Sequence, residues 1–268
     1  MRSVSHVLAV LHKHRELAWE LTKREVKDRY AGHAFGVLWA IGHPVLFMGV
    51  YLFVFAVVFR VRMADTFSVP RDYPVYLLSG LIPWIGFCEA MSRSSTSILS
   101  NVSLVKQAIF PLAILPVKAV LASLLTQFLS LAILLIYILA RGLELPWTFV
   151  LLPILFFLQF LAMVGVAFVL SGLGTYFRDL REFVQVWSFA GVYLMPAVYL
   201  PEWVPSAFQP ILYANPFSYL IWCHQDVLYY GRIAHPEAWV ILTLLAFLTF
   251  AVGCMLFRKL ELMFGNVL

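Results

Sequence analysis

Aromatic side chains recur every four residues along one stretch: Trp39, His43, Phe47, Tyr51, Phe55 and Phe59 fall on a single slanting helix ridge. Ring faces so arranged can stack on the C–H faces of sugars while tolerating sliding, much as they tolerate varied bases along a single nucleic-acid strand. The same spacing also serves ordinary helix packing and interfacial anchoring. Trp187, Tyr193 and Tyr199 form a second aromatic group, with Tyr199 expected near an outer interface. Group-transfer chemistry would need clustered acids and histidines at one membrane face. The outer side offers only Glu202, His224, Asp226 and His235 for a membrane glycosyl- or acyltransferase.

Other chemistry is missing from the pattern. No lysine is followed by Ser or Thr, so there is no phosphate-binding GxxxxGK[ST] loop. HExxH, GxSxG, CxxC and EF-hand patterns are absent too, and no metal site is expected. Cys88, Cys223 and Cys254 lie far apart and read as packing residues. Asn101-Val102-Ser103 matches a glycosylation acceptor but falls on the side expected to be cytoplasmic. His43 is the one histidine at depth, and it reads as a satisfied polar residue of a bundle.

The elements that must carry these residues are membrane spans. The chain is 62% hydrophobic and 12% charged, with a mean hydropathy of +0.88. A soluble domain carries about twice that charged fraction. Residues 30–59, 119–140, 145–177, 183–201 and 238–257 contain no Asp, Glu, Lys or Arg, and each is near the roughly 20 residues that cross a bilayer. A sixth span is needed at 73–97, where Pro83 and Gly86 interrupt and Glu89 and Arg93 can pair at i, i+4. The expectation is an all-α integral membrane protein forming one domain over 1–268. Its spans lie at 35–59, 73–97, 115–140, 146–177, 182–200 and 237–257, which leaves no room for a separate soluble catalytic domain.

Residues 1–30 read as an amphipathic interfacial helix. Val4, Val7, Leu8, Leu11, Ala18 and Leu21 share one side and the charges the other, with Arg15 and Glu25 breaking the pattern. Glu20 with Arg24 and Glu25 with Arg29 stand four apart in the favourable order. The apolar run Val7 to Leu11 is too short for a secretory signal core, so the N-terminus reads as part of the mature protein. Residues 201–235 read as a re-entrant outer gate, because Pro205, Pro210 and Pro216 would break any straight helix.

Charge bias orients the whole. With both termini cytoplasmic, only Arg60, Arg62, Arg71, Arg141 and Arg232 of the 19 Lys and Arg fall outside. The net +5 therefore follows topology and does not point to nucleic acid. The spans also lack the carboxylates of an ion-coupled pump: Glu89 is the sole acid near a span interior, and Arg93 is there to pair with it. Energy for any transport is expected from a partner ATPase.

Several stretches carry a family resemblance. Arg29-Tyr30-Ala31-Gly32, Phe35-Gly36-Val37-Leu38-Trp39 and Pro44 resemble the start of the first span in permease subunits of type-2 ABC exporters, although His33 and Phe35 replace smaller or aliphatic residues. Asn101-Val102-Ser103-Leu104-Val105 with Phe110-Pro111 resembles that family's cytoplasmic coupling segment. Phe177-Arg178-Asp179-Leu180 and Tyr193-Leu194-Met195-Pro196-Ala197-Val198-Tyr199 resemble its fifth span. Asn215-Pro216-Phe217, Asp226 and Gly231 resemble its outer segment. These run in family order over nearly the whole chain and are most similar to polysaccharide exporters carrying O-antigen, capsule or teichoic acid.

The resemblance implies a homodimer joined to two ATP-binding subunits in a bacterial inner membrane. A lipid-linked glycan would pass through it, with O-antigen the favoured cargo and capsule, teichoic acid, or a small lipid or drug the alternatives. ATP and Mg would sit on the partner subunit, with no cofactor and no catalytic residue on this chain. Trp39, Phe47, Tyr51, Phe55, Trp187, Tyr193 and Tyr199 would line the channel. Asn101, Leu104, Val105, Lys106 and Phe110 would couple to the ATPase, and Pro210, Asn215, Pro216 and Asp226 would form the outer gate.

Overall fold

The computed structural model describes residues 2–30, 35–58, 72–106 and 110–264, and every regular element among them is helical. The chain opens with α1 (Arg2–Lys13) and α2 (Arg15–Tyr30). A 3-10 turn at Gly36–Leu38 leads into α3 (Trp39–Leu52), which loosens into a π-helical turn at Phe53–Val58. Next come α4 (Tyr73–Thr96), the single-turn α5 (Val102–Val105), α6 (Ile114–Ala140) and α7 (Leu152–Gly174). Then follow α8 (Leu180–Gly191), α9 (Gln209–Ala214), α10 (Pro216–Gln225) and α11 (Pro236–Glu261).

Among the described residues four stretches are long and apolar enough to cross a bilayer: α4, α6, α7 with its 3-10 lead-in from Trp147, and α11, at 24, 27, 28 and 26 residues. At about 1.5 Å per residue the shortest spans ~36 Å, more than a hydrocarbon core of roughly 30 Å. This is a multi-pass membrane protein.

Two of the six expected spans are shorter as continuous α-helix. The stretch expected at 35–59 is an apolar helix over Trp39–Phe55 that changes its winding at Phe53. The stretch expected at 182–200 is helical only to Gly191, with a 3-10 turn to Leu194. The break has a local cause. Proline's ring drives the residue before it out of the helical region, and Met195, before Pro196, sits at φ −141 and ψ 159.

Backbone freed by that break must find partners inside the protein. The Tyr73 hydroxyl donates to the Val198 carbonyl at 2.8 Å. The Tyr76 hydroxyl lies 3.0 and 2.9 Å from the carbonyls of Pro196 and Tyr199, and Gln225 Nε2 donates to Pro196 O at 2.8 Å.

Those tyrosines belong to the central helix. α4 packs on α6, α7, α8 and α10, and its Val75, Tyr76, Leu77 and Ala90 are fully buried. It continues as α-helix through Pro83. Beside that proline, Gln127 and Gln159 exchange amide hydrogen bonds at 2.9 and 2.8 Å, and a side chain at Gly86 would collide with Gln127. α7 and α11 cross at Gly165 and Gly253, where a Cβ on either would strike the other helix's backbone.

The N-terminal stretch packs along this bundle, α1 on α11 and α2 on α6. Backbone bonds from His14 N to Val10 O and from Ala18 N to His14 O carry the helix across the junction. The expected apolar side is only partly turned inward. Val7, Ala18 and Thr22 are buried, whereas Leu8 is half exposed. The expected Glu20–Arg24 pair is replaced by Glu20–Lys23 and Arg24–Asp28, and Glu25 and Arg29 reach across to other helices.

Within 201–235 the prolines set the boundaries. Pro210 and Pro216 open α9 and α10, where a missing N–H costs nothing. A π-helical turn at Asp226–Tyr230 ends on Gly231 at φ +65, the left-handed region that favours glycine.

Candidate functional site

A cavity of about 760 Å³ opens between α3, α4, α6 and α8. Trp39, His43, Phe47 and Tyr51 form its α3 wall. Their rings make a ladder: His43 stacks on Phe47 with centroids 6.1 Å apart, Phe47 meets Tyr51 at 5.1 Å, and Tyr51 stacks on Phe55 at 6.2 Å. The facing wall mixes Trp84, Ile85 and Cys88 of α4 with the hydroxyls of Thr126, Ser130 and Ser188. Ser130 and Ser188 donate to their own helices, to Thr126 O at 3.0 Å and Val184 O at 2.7 Å. Their oxygens still have lone pairs to offer. One wall can stack on a ring and the other can accept hydrogen bonds from it.

The expected channel residues divide. Trp39, Phe47 and Tyr51 line this cavity, and Phe55 stands behind Tyr51 in the ladder. Phe59 lies outside the described residues. Trp187 packs against Phe217 of α10 at 6.4 Å. Half-exposed Tyr193 meets Phe189 edge-on, and its carbonyl accepts from the Tyr199 hydroxyl at 2.9 Å. None of these last three lines the cavity.

Charge gathers at the end that the positive-inside bias places in the cytoplasm. Arg29 Nη2 lies 2.6 Å from Glu89 Oε1, and Arg93 Nε lies 3.0 Å from the same oxygen. Arg93 Nη1 reaches Glu25 Oε1 at 3.1 Å, and Lys118 Nζ reaches Glu25 Oε2 at 3.0 Å. Arg29 also donates to Thr126 Oγ1 at 2.9 Å. Burial alone would raise the Glu25 carboxyl, but Lys118, Arg93 and Arg29 together outweigh it and its pKa is lowered. Sequence reasoning found Glu89–Arg93 and missed the rest. The available signal was Glu25 itself, an acid that broke the amphipathic pattern of its helix.

At the opposite end, Asp226 is fully buried under three donors. His235 N donates at 3.1 Å, Trp239 Nε1 donates at 3.1 Å, and His235 Nδ1 lies 2.8 Å away. Asn215 caps α10 by accepting from Phe217 N at 3.0 Å, and its Nδ2 donates to Leu194 O at 3.0 Å. Pro216 follows as the first residue of α10, and Pro210 is exposed at the start of α9. Glu202 is exposed in a turn, and His224 meets Phe156 edge-on. Of these outer groups Asp226 and His235 pair directly, Glu202 is exposed and His224 is buried. Among the described residues no cluster of His, Cys, Asp or Glu could hold a metal ion.

The expected coupling residues sit just past α4. Asn101 closes a 3-10 turn and donates from Nδ2 to Ser97 O at 2.8 Å. Leu104 and Phe110 are partly buried against the core, and Lys106 is exposed. Val105 ends α5. Residues 107–109 of this segment lie outside the described residues.

A multi-helix membrane bundle with a cavity on its central helix and an ion cluster at one mouth has the form of a transporter's membrane subunit. The family model for the ABC-2 type transporter matches residues 16–229, and the chain belongs to that family. It is 28% identical over 250 residues to the O-antigen export system permease protein RfbA of Klebsiella pneumoniae, covering 92% of this chain and 93% of that one. The namesake from Myxococcus xanthus is 30% identical over 231 residues, 85% of each chain. The polysialic acid transport protein KpsM of Escherichia coli is 22% identical over 240 residues, 89% of this chain and 91% of that one.

Proposed function

We propose that this chain is the channel-forming permease subunit of an ATP-driven exporter that moves a lipid-linked polysaccharide outward across a bacterial inner membrane. O-antigen is the favoured cargo. Two copies would pair and work with two ATP-hydrolysing subunits, which carry the ATP and Mg. The observation that carries the reading is the α3 ring ladder, which lines a cavity of about 760 Å³ and faces hydroxyl groups on the opposite wall. Relatives named as O-antigen export permeases match over nearly the whole chain and supply the cargo class.

The experiment is deletion of the chain followed by complementation. Surface glycan should disappear, its lipid-linked form should accumulate on the cytoplasmic face, and the wild-type chain should reverse both. Normal surface glycan in the deletion strain would sink the reading. The similarity to a polysialic acid transporter favours one second reading, a capsule exporter. The chemistry of the polymer lost from the surface decides between the two.

A further inference from the structure

We infer that the bend after α8 and the bend between α9 and α10 form one rigid corner, each closed by the same tyrosine strap. The sequence holds Tyr-x-x-Pro-x-x-Tyr twice, as Tyr193, Pro196, Tyr199 and as Tyr213, Pro216, Tyr219. In both, the last tyrosine hydroxyl donates to the carbonyl of the first: Tyr199 to Tyr193 at 2.9 Å, Tyr219 to Tyr213 at 2.6 Å. Each bond makes good a loss that proline causes. The residues before the prolines, Met195 and Asn215, are both extended. In a continuing helix the first tyrosine's carbonyl would accept from an N–H three or four residues on. Three on stands a proline, with no N–H to give. Four on, Ala197 N turns to Met195 O at 2.8 Å, and Phe217 N turns to Asn215 Oδ1 at 3.0 Å. The hydroxyl six residues on takes their place in both bends.

Further contacts join the two bends. Asn215, inside the second, donates from Nδ2 to Leu194 O of the first at 3.0 Å. Phe217 of α10 packs on Trp187 of α8 at 6.4 Å and on Trp84 and Phe87 of α4 at 5.1 and 5.0 Å. The Tyr76 hydroxyl of α4 lies against the carbonyls of Pro196 and Tyr199, and Gln225 of α10 reaches Pro196 O as well. A proline break by itself offers a hinge, because backbone bonds are missing there. Strapped and cross-tied, these two breaks move together and with the outer end of α4. The inference rests on the proposed function only in taking this corner to be what shifts when the outer end opens to cargo.

The test is amide hydrogen exchange on the permease–ATPase complex in phosphatidylcholine nanodiscs, which reads local opening without cargo or transport. Tyr199→Phe and Tyr219→Phe each remove one oxygen and keep the ring. Either should speed exchange about fivefold in both bends, 195–200 and 213–219, with α7 and α11 unchanged. Asn215→Ser keeps a cap acceptor for Phe217 N but no longer reaches Leu194. In that background the effect of Tyr219→Phe should stay within 213–219. Unchanged exchange in both hydroxyl-deleted variants would overturn the straps. With Asn215 intact, faster exchange confined to the altered bend would overturn the single corner. Faster exchange spreading through α7 and α11 would make the hydroxyls general stabilisers and overturn it too. Failure of the export reading leaves the exchange result standing, and the reverse holds as well.

Discussion

Lys118 Nζ, at the start of α6, lies 3.0 Å from Glu25 Oε2 on the N-terminal helix pair. With Arg93 on the other oxygen, this contact pins α2 to both α4 and α6. Glu25→Gln would remove the carboxylate from Lys118 and leave Arg93 with Glu89 alone, at an expected cost of about 2–3 kcal/mol, less than a fully buried pair because Glu25 is partly exposed. Lys118→Met should cost less, since Arg93 still balances Glu25. In the double variant the two losses should not add. Apparent melting of the purified complex measures all three, and strict additivity would mean the two groups do not interact.

The same carboxyl gives a pH dependence with a defined sign. Its pKa is lowered from the ordinary 4.5, so the unfolded state binds the proton more readily. The stabilisation from Glu25 is complete above that ordinary value and is lost as pH falls through the lowered one. Wild-type and Glu25→Gln protein should therefore converge in stability under acid and diverge toward neutrality. A gap of constant size from pH 3 to 7 would contradict this.

Cavity geometry ranks the aromatic rings. Phe47→Ala and Tyr51→Ala should each slow export, and the pair together should slow it more, with about 1–3 kcal/mol per stacking contact as the ceiling. Trp187→Ala, which faces Phe217 and not the cavity, should affect export less at matched abundance. Equal effects at all three positions would make the ladder ordinary packing.

Coupling is tested at the other end of α4. Replacing Leu104 to Phe110 with Gly and Ser should weaken capture of the ATPase and uncouple export, while the permease still inserts. Full export with the partner retained would place the lever elsewhere.

At the α7–α11 crossing, Gly165→Val puts side-chain atoms where Thr249 and Phe250 already place their backbone. Overpacking of this kind costs about 1–3 kcal/mol or more. Yield and melting temperature should both fall, whereas Gly49→Val, whose Cβ would meet open space, should not lower them.

Much of this architecture could be read from residue types. The charge-free runs at 119–140, 145–177 and 238–257 became long helices because hydrophobicity and length depend on no partner. Pro210 and Pro216 marked helix starts, since proline acts on its own backbone. The shortened helix before Pro196 was legible in principle, because Met195 had to leave the helical region. Other features depend on which helices become neighbours. Glu25 and Lys118 carry no sequence-local sign of pairing, and Trp187 and Tyr51 are both half-buried aromatics whose surroundings differ only after folding. Spacing placed Trp39, Phe47 and Tyr51 on one ridge, but only packing could turn that ridge toward α4 and α8.

α4 carries one further consequence. Its first turns hold the broken backbone at Pro196 to Tyr199 through Tyr73 and Tyr76, and its last turns hold Glu25 and Arg29 through Arg93 and Glu89. It runs between them as one unbroken helix with most of its surface packed. Such a rod acts as a beam: if it tilts about its middle, its two ends swing in opposite directions. The inner ion cluster and the outer bend would then shift together from a single rotation, with no signal relayed from side chain to side chain.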